Sequence, residues 1–325
     1  MRALLCKGFG HGRSLVPGDL PQPVPAAGEV CVDVACAGIS YVDALMVRNK
    51  HQNKHELPFA PGMTVAGTVS AIGANVGRIQ PGQRVLALVY DGGLAEQAVA
   101  PERETFVLPD NVSWQDAAGL VNSFLTPYAA IRIEAQARQG ETLLVLGAGG
   151  TVSSAAVAIG KALGLNVIAA ASTDAKLTLA SERGAAHLLN YSNEDLLARA
   201  RAICEATGVD IVFDPVGGEL YEPAFKTLGW GGRYLVIGFA GGAVPQFAGN
   251  RLLVKNRKAL GFVLMYYRRH RPDLLAQVVS ELLGLVTSGK LKTTPEHVLD
   301  LDRAGAAIDA FFERSALGCT VVNIA

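Results

Sequence analysis

Two rhythms of apolar residues divide this chain. From Glu29 to Ile39 they alternate, with Val30, Val32, Val34 and Cys36 on one face, the period of a half-buried strand. Val65–Ile72 and Arg84–Val89 read as further strands, and Pro17-Gly18, Pro61-Gly62 and Pro81-Gly82 as the turns that punctuate them. Short strands with frequent turns predict a small barrel over the first third rather than a parallel sheet. From about Glu141, strand-like Thr142–Gly147, Val167–Ser172, His187–Tyr191, Asp210–Pro215 and Arg233–Gly238 alternate with helical stretches. The first of these helices carries Val152, Ala156, Ile159 and Leu163 on one stripe. Such alternation predicts a doubly wound parallel sheet. Beyond Tyr266 it gives way to a helix over about Asp273–Ser288, a strand near His297, a helix from Asp302 and a final strand.

Composition narrows the setting. The 325 residues allow two or three domains with a sizeable core. The 29 basic residues balance the 29 acidic ones, which gives no electrostatic case for nucleic acid or an anionic membrane surface. No apolar run approaches the roughly 20 residues that span a bilayer. The stretch Met1–Gly8 is too short and too soon interrupted for a signal peptide. The five cysteines form no CxxC pair or regular framework and read as buried reduced thiols. A cytoplasmic protein is expected, without nucleic acid or membrane as partner.

The first βα junction holds the candidate chemistry. Ala148-Gly149-Gly150-Thr151-Val152-Ser153 fits the dinucleotide fingerprint loosely, as A-x-G-x-x-S. Gly150 stands where backbone must approach a pyrophosphate closely, and Ala148 and Ser153 are small enough for helix and strand to pack. Glycine-rich turns also simply join strands to helices; the strand before, the helix after and four further βα units favour a nucleotide. The second strand ends Ala169-Ala170-Ala171-Ser172-Thr173, with no acid to hold a ribose 2′-hydroxyl or repel a 2′-phosphate. Ser172 and Thr173 can donate hydrogen bonds to that phosphate and Lys176 can supply charge, so NADPH is the expected cofactor. The plainer reading is a Thr173 helix cap, Asp174 on the helix dipole and a solvated Lys176.

Longer blocks carry a resemblance. Pro58–Gly73 (PFAPGMTVAGTVSAIG), Gly92–Val99 (GGLAEQAV), Ala170–Ala185, Asp210–Gly218 (DIVFDPVGG), Gly231–Ala240 and Leu252–Asn256 occur in a family-typical order. Essentially end to end, the chain resembles the zinc-independent quinone oxidoreductase (zeta-crystallin-like) branch of the medium-chain dehydrogenase/reductase superfamily. The resemblance implies an α/β fold of two domains. Residues 1–123 and 267–325 would form a GroES-like β-barrel, the substrate and catalytic domain. Residues 124–266 would form a Rossmann doubly wound parallel sheet that binds the dinucleotide, with NADPH in the cleft between domains. It also implies a homodimer through the apolar strand Leu260–Leu264, an edge otherwise prone to aggregation.

Carried over by position, Thr126 and Ser40 line the nicotinamide end, and the Gly149–Val152 backbone, with Ala148 before it, the pyrophosphate. Ser172, Lys176 and Tyr191 hold the 2′-phosphate, while Val216, Phe239, Ala240 and Asn256 cover the cofactor from later strands. Tyr191 reads equally well as an ordinary strand-end aromatic, and Asn256 outside its LLVKN block would be a polar turn residue. Zinc members of the superfamily place a cysteine–histidine pair and a histidine–glutamate pair where this chain has Ser40-Tyr41 and Met63-Thr64, and zinc wants thiolate, imidazole or carboxylate. No metal is expected. Departures from the branch include Thr151 and Ser153 for glycines, Pro127 after Thr126 (tolerable in a first helical turn), His51 for a frequent tyrosine, and Met265–Arg269 for a tryptophan-containing stretch.

Hydride transfer asks little of side chains, because the cofactor carries the reaction and the protein positions it. Without a metal, hydrogen-bond donors must polarise the acceptor, which suits quinones and conjugated enones. Tyr41 and His51 are the candidate catalytic donors, although a lone loop histidine is commonly a solvated surface residue. One rival is a 2-enoyl-thioester reductase of the acryloyl-CoA type, with Arg48, Lys50, Lys54, Arg268 and Arg269 at the cleft mouth or else as solvated charges. The other is a protein that binds NADPH without turnover.

Overall fold

The computed structural model describes residues 1–205 and 207–324. They form two compact units, Met1–Ser123 with Tyr267–Ala325, and Phe124–Tyr266.

The first unit is built on a seven-stranded sheet whose central strand is Glu29–Ile39. Antiparallel to it lie Thr64–Ile72 on one side and Thr320–Asn323 on the other, so segments far apart in sequence share one sheet. Arg84–Leu88 and Thr105–Val107 extend one side, His297–Asp300 the other, and Gln97–Pro101 pairs with the first half of the central strand. The alternation in Glu29–Ile39 predicted one buried face, yet only Glu29, Asp33 and Ala35 escape burial. Register shifts at Cys31/Val32 and Val34/Cys36 twist the strand, and the helix Trp114–Gly119 packs against it. Its valines join Leu4, Val65, Val85, Leu94, Ile308 and Val322 in one apolar cluster.

Pro17-Gly18 is not a turn. The two residues sit inside the strand Val16–Asp19, paired antiparallel with Arg2–Leu5 in a two-stranded sheet. An edge strand tolerates a proline because its missing N–H faces no partner. Gly18 is held there by space, since a Cβ would stand 2.7 Å from Leu5 Cδ1. Gly62 and Gly82 do turn, with φ of +100° and +86°.

The second unit is a six-stranded, wholly parallel sheet in the order His187–Asn190, Asn166–Ala171, Thr142–Leu146, Val209–Asp214, Leu228–Val236, Lys258–Gly261. This is the doubly wound order in which the chain starts in the middle, works outward to one edge and returns to build the other. The helix Thr151–Ala162 was predicted to bury a stripe, yet Ser153–Gly160 are all buried and Val152 and Leu163 only half. Small residues on every side let it press against the strands Thr142–Leu146 and Asn166–Ala171 and the short helix Leu125–Tyr128. Pro127 lies within a helical run rather than in a first turn; wide π turns at Leu120–Phe124 and Ala129–Glu134 flank it and accommodate the missing N–H. The strand predicted over Leu260–Leu264 runs instead from Lys258 to Gly261, and a helix starts at Leu264. Among the described residues no helix is long and apolar enough to cross a membrane. All five cysteines are buried.

Asp309 ties the first unit together. Its buried carboxylate accepts from the Gly12 and Arg13 N–H groups at 2.8 and 2.9 Å and from Arg48 Nη2 at 2.6 Å. Burial alone would raise its carboxyl; those N–H groups and the guanidinium outweigh it and hold the group below its ordinary value. Its contribution is therefore present above the unfolded value of about 3.9 and lost as pH falls through the lower folded one. Asp309→Ala should cost about 3–5 kcal/mol in urea unfolding at pH 7, because it strands buried Arg48 and two N–H groups. The gap from wild type should close as the measurement is repeated at pH values falling below 4.

Candidate functional site

The carboxyl ends of the parallel strands carry most of the predicted site. Thr142–Leu146 runs into Gly147, whose φ of +60° swings the chain into the turn Ala148-Gly149-Gly150 and then into the helix Thr151–Ala162. Gly149 is required by packing: a Cβ there would stand 2.6 Å from Lys176 Cβ and 3.1 Å from its Cα. At Gly150 a Cβ would meet only Gly147 O, at 3.4 Å, so this glycine leaves open space before the helix. Gly150 is the helix N-cap, and no side chain caps it. Neighbouring helices, by contrast, are capped by Thr173 and Asp195. First-turn N–H groups with no capping side chain and no acid beside them are a favourable place for an anion. Ser153, standing for a glycine, is buried and donates to Leu146 O at 2.9 Å, so its hydroxyl fastens helix to strand.

At the end of the next strand, three predicted residues converge. Lys176 Nζ lies 3.5 Å from Ser172 Oγ, and the Tyr191 hydroxyl also bonds with the Ser172 side chain. Burial pushes the Tyr191 phenol up, the Ser172 contact pulling the other way. Thr173 does cap the helix Asp174–Glu182, accepting from Lys176 N–H. Lys176 is nevertheless half-buried and turned toward Ser172 rather than solvated. Asp174, the acid that opens this helix, is occupied by Asn190 Nδ2 at 2.8 Å.

The strand Val209–Asp214 ends in a clamp that the sequence reading missed. Asp214 accepts from Val216 and Gly217 N–H at 2.7 and 2.8 Å and from the buried Tyr234 hydroxyl at 2.6 Å. Burial pushes its carboxyl up, against the pull of these three donors. The clamp fixes Val216, whose carbonyl receives Gly241 N–H, while Pro215 O receives Ala240 N–H. Phe239 and Ala240 are exposed on that loop. The available signal was an acid closing an apolar strand directly before Pro-Val-Gly-Gly. Asn256 does not join them. It sits with φ of +50° in the turn before Lys258–Gly261, where Lys255 O bonds Gly231 N–H near the opposite end of Leu228–Val236. Thr126 is half-buried on the helix Leu125–Tyr128.

In the first unit, Ser40 caps the helix Tyr41–Val47, accepting from Val42 N–H while its own N–H donates to Asp43. Asp43, unnoticed in the sequence, is fully buried and also accepts from Gly62 N–H at 2.8 Å. Burial pushes its carboxyl up to about 6, the Ser40 and Gly62 N–H groups opposing. Tyr41 is exposed and stacks on Phe312 with ring centroids 6.4 Å apart. His51 is half-buried, not a solvated loop residue, and its Nδ1 is buried without a partner. Of the cations proposed for a cleft mouth, Arg268 is buried against Glu104 (Nε to Oε2, 2.7 Å) and Arg48 is committed to Asp309. Lys50, Lys54 and Arg269 remain exposed.

Comparison with known proteins fits this geometry. Residues 26–110 match the alcohol dehydrogenase GroES-like domain and residues 151–281 the family described as zinc-binding dehydrogenase. Quinone oxidoreductase-like protein 2 of Rattus norvegicus is 32% identical over 99% of this chain and 96% of its own length. The chain belongs to the quinone oxidoreductase-like branch of the medium-chain dehydrogenases/reductases. It is an oxidoreductase. Among solved structures, the quinone oxidoreductase of Thermus thermophilus, solved also as its complex with NADPH, is 34% identical (TM-score 0.81, 99% of this chain and 100% of that one). The Escherichia coli quinone oxidoreductase complexed with NADPH is 26% identical with a TM-score of 0.90, covering 99% of this chain and 100% of that one.

One of those family descriptions raises zinc, and the donor set does not suit it. Ser40 and Asp43 spend their oxygens on helix capping and Gly62, and Met63 packs against the apolar cluster. Among the described residues no group of three or more His, Cys, Asp and Glu could hold a metal ion.

The two glycines of the turn should separate on mutation. Gly149→Ala should lower thermal stability by about 1–3 kcal/mol, because backbone and Cβ of Lys176 must move. Gly150→Ala, at an ordinary φ of −78° and with space for the methyl, should leave the melting temperature within about a degree of wild type.

Proposed function

We propose that the chain reduces quinones or conjugated enones with NADPH, with the unit Phe124–Tyr266 binding the nucleotide and the other unit serving the acceptor. The single observation that carries the cofactor half is the convergence of Ser172, Lys176 and Tyr191 at the carboxyl end of Asn166–Ala171, with no free acid among them. A 2′-phosphate there gains a cation and two hydroxyl donors. The N–H groups opening the helix Thr151–Ala162 receive the pyrophosphate, across the space left at Gly150. Ala148, Gly149, Thr151 and Val152 shape that approach, and Val216, Phe239 and Ala240 form the cover held by the Asp214 clamp. Thr126 serves the nicotinamide end in the nucleotide-binding unit, and Ser40 is the residue the family resemblance assigns to it from the other unit's sequence. Bound NADPH supplies the hydride.

What remains for the protein is to orient the acceptor and donate a proton. Tyr41, exposed on a stacked aromatic pair, and His51 are the donors we assign. Hydrogen-bond donors without a metal polarise a carbonyl weakly, which favours acceptors that are already electron-poor. A thioester reductase is the weaker reading, since Arg268 and Arg48 are withdrawn from any role in holding CoA phosphates. The exposed edge Lys258–Gly261, followed by exposed Val263, supports pairing of two copies into a homodimer.

The test follows NADPH absorbance with para-benzoquinone, a small enone and acryloyl-CoA, each repeated with NADH. Turnover with the first two and a preference for NADPH are expected; tight NADPH binding with no oxidation by any acceptor would leave only a binding protein. Lys176→Ala should weaken NADPH by roughly 10- to 100-fold, the worth of one charge-assisted hydrogen bond, and leave NADH nearly unchanged. Gly150→Ala should weaken both nucleotides alike.

A further inference from the structure

The proposed phosphate site is drawn from three separate elements. Ser172 follows the strand Asn166–Ala171, Lys176 stands on the helix Asp174–Glu182, and Tyr191 follows the strand His187–Asn190. Asn190, directly before Tyr191, is only 8% exposed. Leu189 and Tyr191, on either side of it, pack into one apolar cluster, so its own side chain faces the other way. There Nδ2 donates to Asp174 Oδ1 at 2.8 Å, and Oδ1 accepts from Ser192 N–H at 3.1 Å. The amide admits only this orientation, since the reverse would set donor against donor and acceptor against carboxylate. The Asn190 N–H donates to Glu194 Oε1 at 3.0 Å and Ser192 Oγ to Ser172 O at 2.9 Å, so the turn carrying Tyr191 is bound back on both sides.

Asp174 carries the other half of this tie. It opens the helix on which Lys176 stands, and side chains two residues apart on a helix do not share a face. Lys176 accordingly reaches Ser172 while Asp174 reaches Asn190. An acid so near a 2′-phosphate would only repel it if charge were its whole effect. Its bond to Asn190 has a second effect: it fastens the helix that bears the lysine to the residue beside the tyrosine. Glu194, the neighbouring acid, is spent on the Asn190 N–H and on Arg199 Nε at 3.4 Å.

We propose that the Asp174–Asn190 bond sets the spacing of Lys176 and Tyr191 around Ser172, and thereby determines the preference for NADPH over NADH. The inference rests on the NADPH reading above. Asp174 and Asn190 are positioning residues, because each acts on the phosphate through a neighbour: Asp174 through the helix of Lys176, Asn190 through Tyr191. Charge-assisted hydrogen bonds to phosphate are short and directional, so a lysine and a phenol that drift apart cannot both keep theirs. NADH lacks the 2′-phosphate and loses nothing when the cluster loosens. The sign of the effect separates this role from plain electrostatics. Removing the Asp174 charge alone favours a phosphate, whereas removing its bond to Asn190 disfavours one.

Titration calorimetry of the full chain with NADPH, NADH and 2′,5′-ADP tests this without any turnover. Asp174→Leu should weaken NADPH and 2′,5′-ADP by about tenfold, the scale of one lost hydrogen bond to a charged group, and leave NADH within about twofold. Asp174→Asn keeps an acceptor for Asn190 Nδ2 and removes the charge, so it should bind NADPH at least as tightly as wild type. Asn190→Leu should reproduce the loss seen in Asp174→Leu, and the double variant should add nothing further, as expected of two ends of one contact. Asp174 is exposed, so its variants still decide the matter if Asn190→Leu does not fold. Tighter NADPH binding in Asp174→Leu, equal losses for NADPH and NADH, or additive losses in the double variant would overturn the inference while wild type binds NADPH normally. Wild type that binds neither NADPH nor 2′,5′-ADP would instead overturn the NADPH reading itself.

Discussion

Parallel pairing of Thr142–Leu146 with a strand on each side is the constraint on which the proposed nucleotide site depends. Because Asn166–Ala171 and Val209–Asp214 both run in its direction, the turns that follow all three strands emerge side by side. One turn brings uncapped N–H groups, the second Ser172 and Lys176, which Tyr191 joins from the end of His187–Asn190, and the third a loop pinned by a buried carboxylate. None of these groups is adjacent in sequence. A parallel sheet also needs a covering on both faces, which explains why the helix Thr151–Ala162 is alanine-, serine- and glycine-rich rather than striped.

In the first unit the corresponding constraint is a set of buried carboxylates that organise backbone rather than bind ligands. Asp309 gathers Gly12, Arg13 and Arg48, and Asp43 joins Ser40 to Gly62. Of the positions where zinc members of the superfamily carry ligands, Ser40 is here part of such a clamp and Met63 packs into the apolar cluster. The same framework can therefore support hydride chemistry with or without a metal, depending on whether these positions offer thiolate and imidazole or hydroxyl and thioether.

Much of this was legible in the chain. The β-then-βα rhythm, the strand Glu29–Ile39 with its bounds, and the Ser172–Lys176–Tyr191 cluster follow from periodicity, from the lack of an acid after Ala171 and from family-typical blocks. What was not legible depends on partners distant in sequence. Burial of both faces of Glu29–Ile39 arises from register shifts and from a helix more than seventy residues on, to which its alternation is blind. Pro17-Gly18 has turn chemistry, but the open edge of a two-stranded sheet accepts it. Asn256 belongs to a recognisable block, yet direction along a strand decides which end of the sheet a residue serves, and the block carries no direction. Arg268 reads as a surface charge until Glu104, far off in sequence, takes it inside.

The strand Thr320–Asn323, lying against Glu29–Ile39, has a bearing on how the molecule is made. Phe124–Tyr266 is one uninterrupted stretch and possesses every strand of its own sheet as soon as it leaves the ribosome. Its companion must wait, with the rim of Cys36–Ile39 unpaired on that side, until Thr320–Asn323 has been translated. The half proposed to hold the nucleotide thus has a head start during synthesis, and a truncation that removes Thr320–Asn323 would expose a sticky rim in the other half while sparing the parallel sheet.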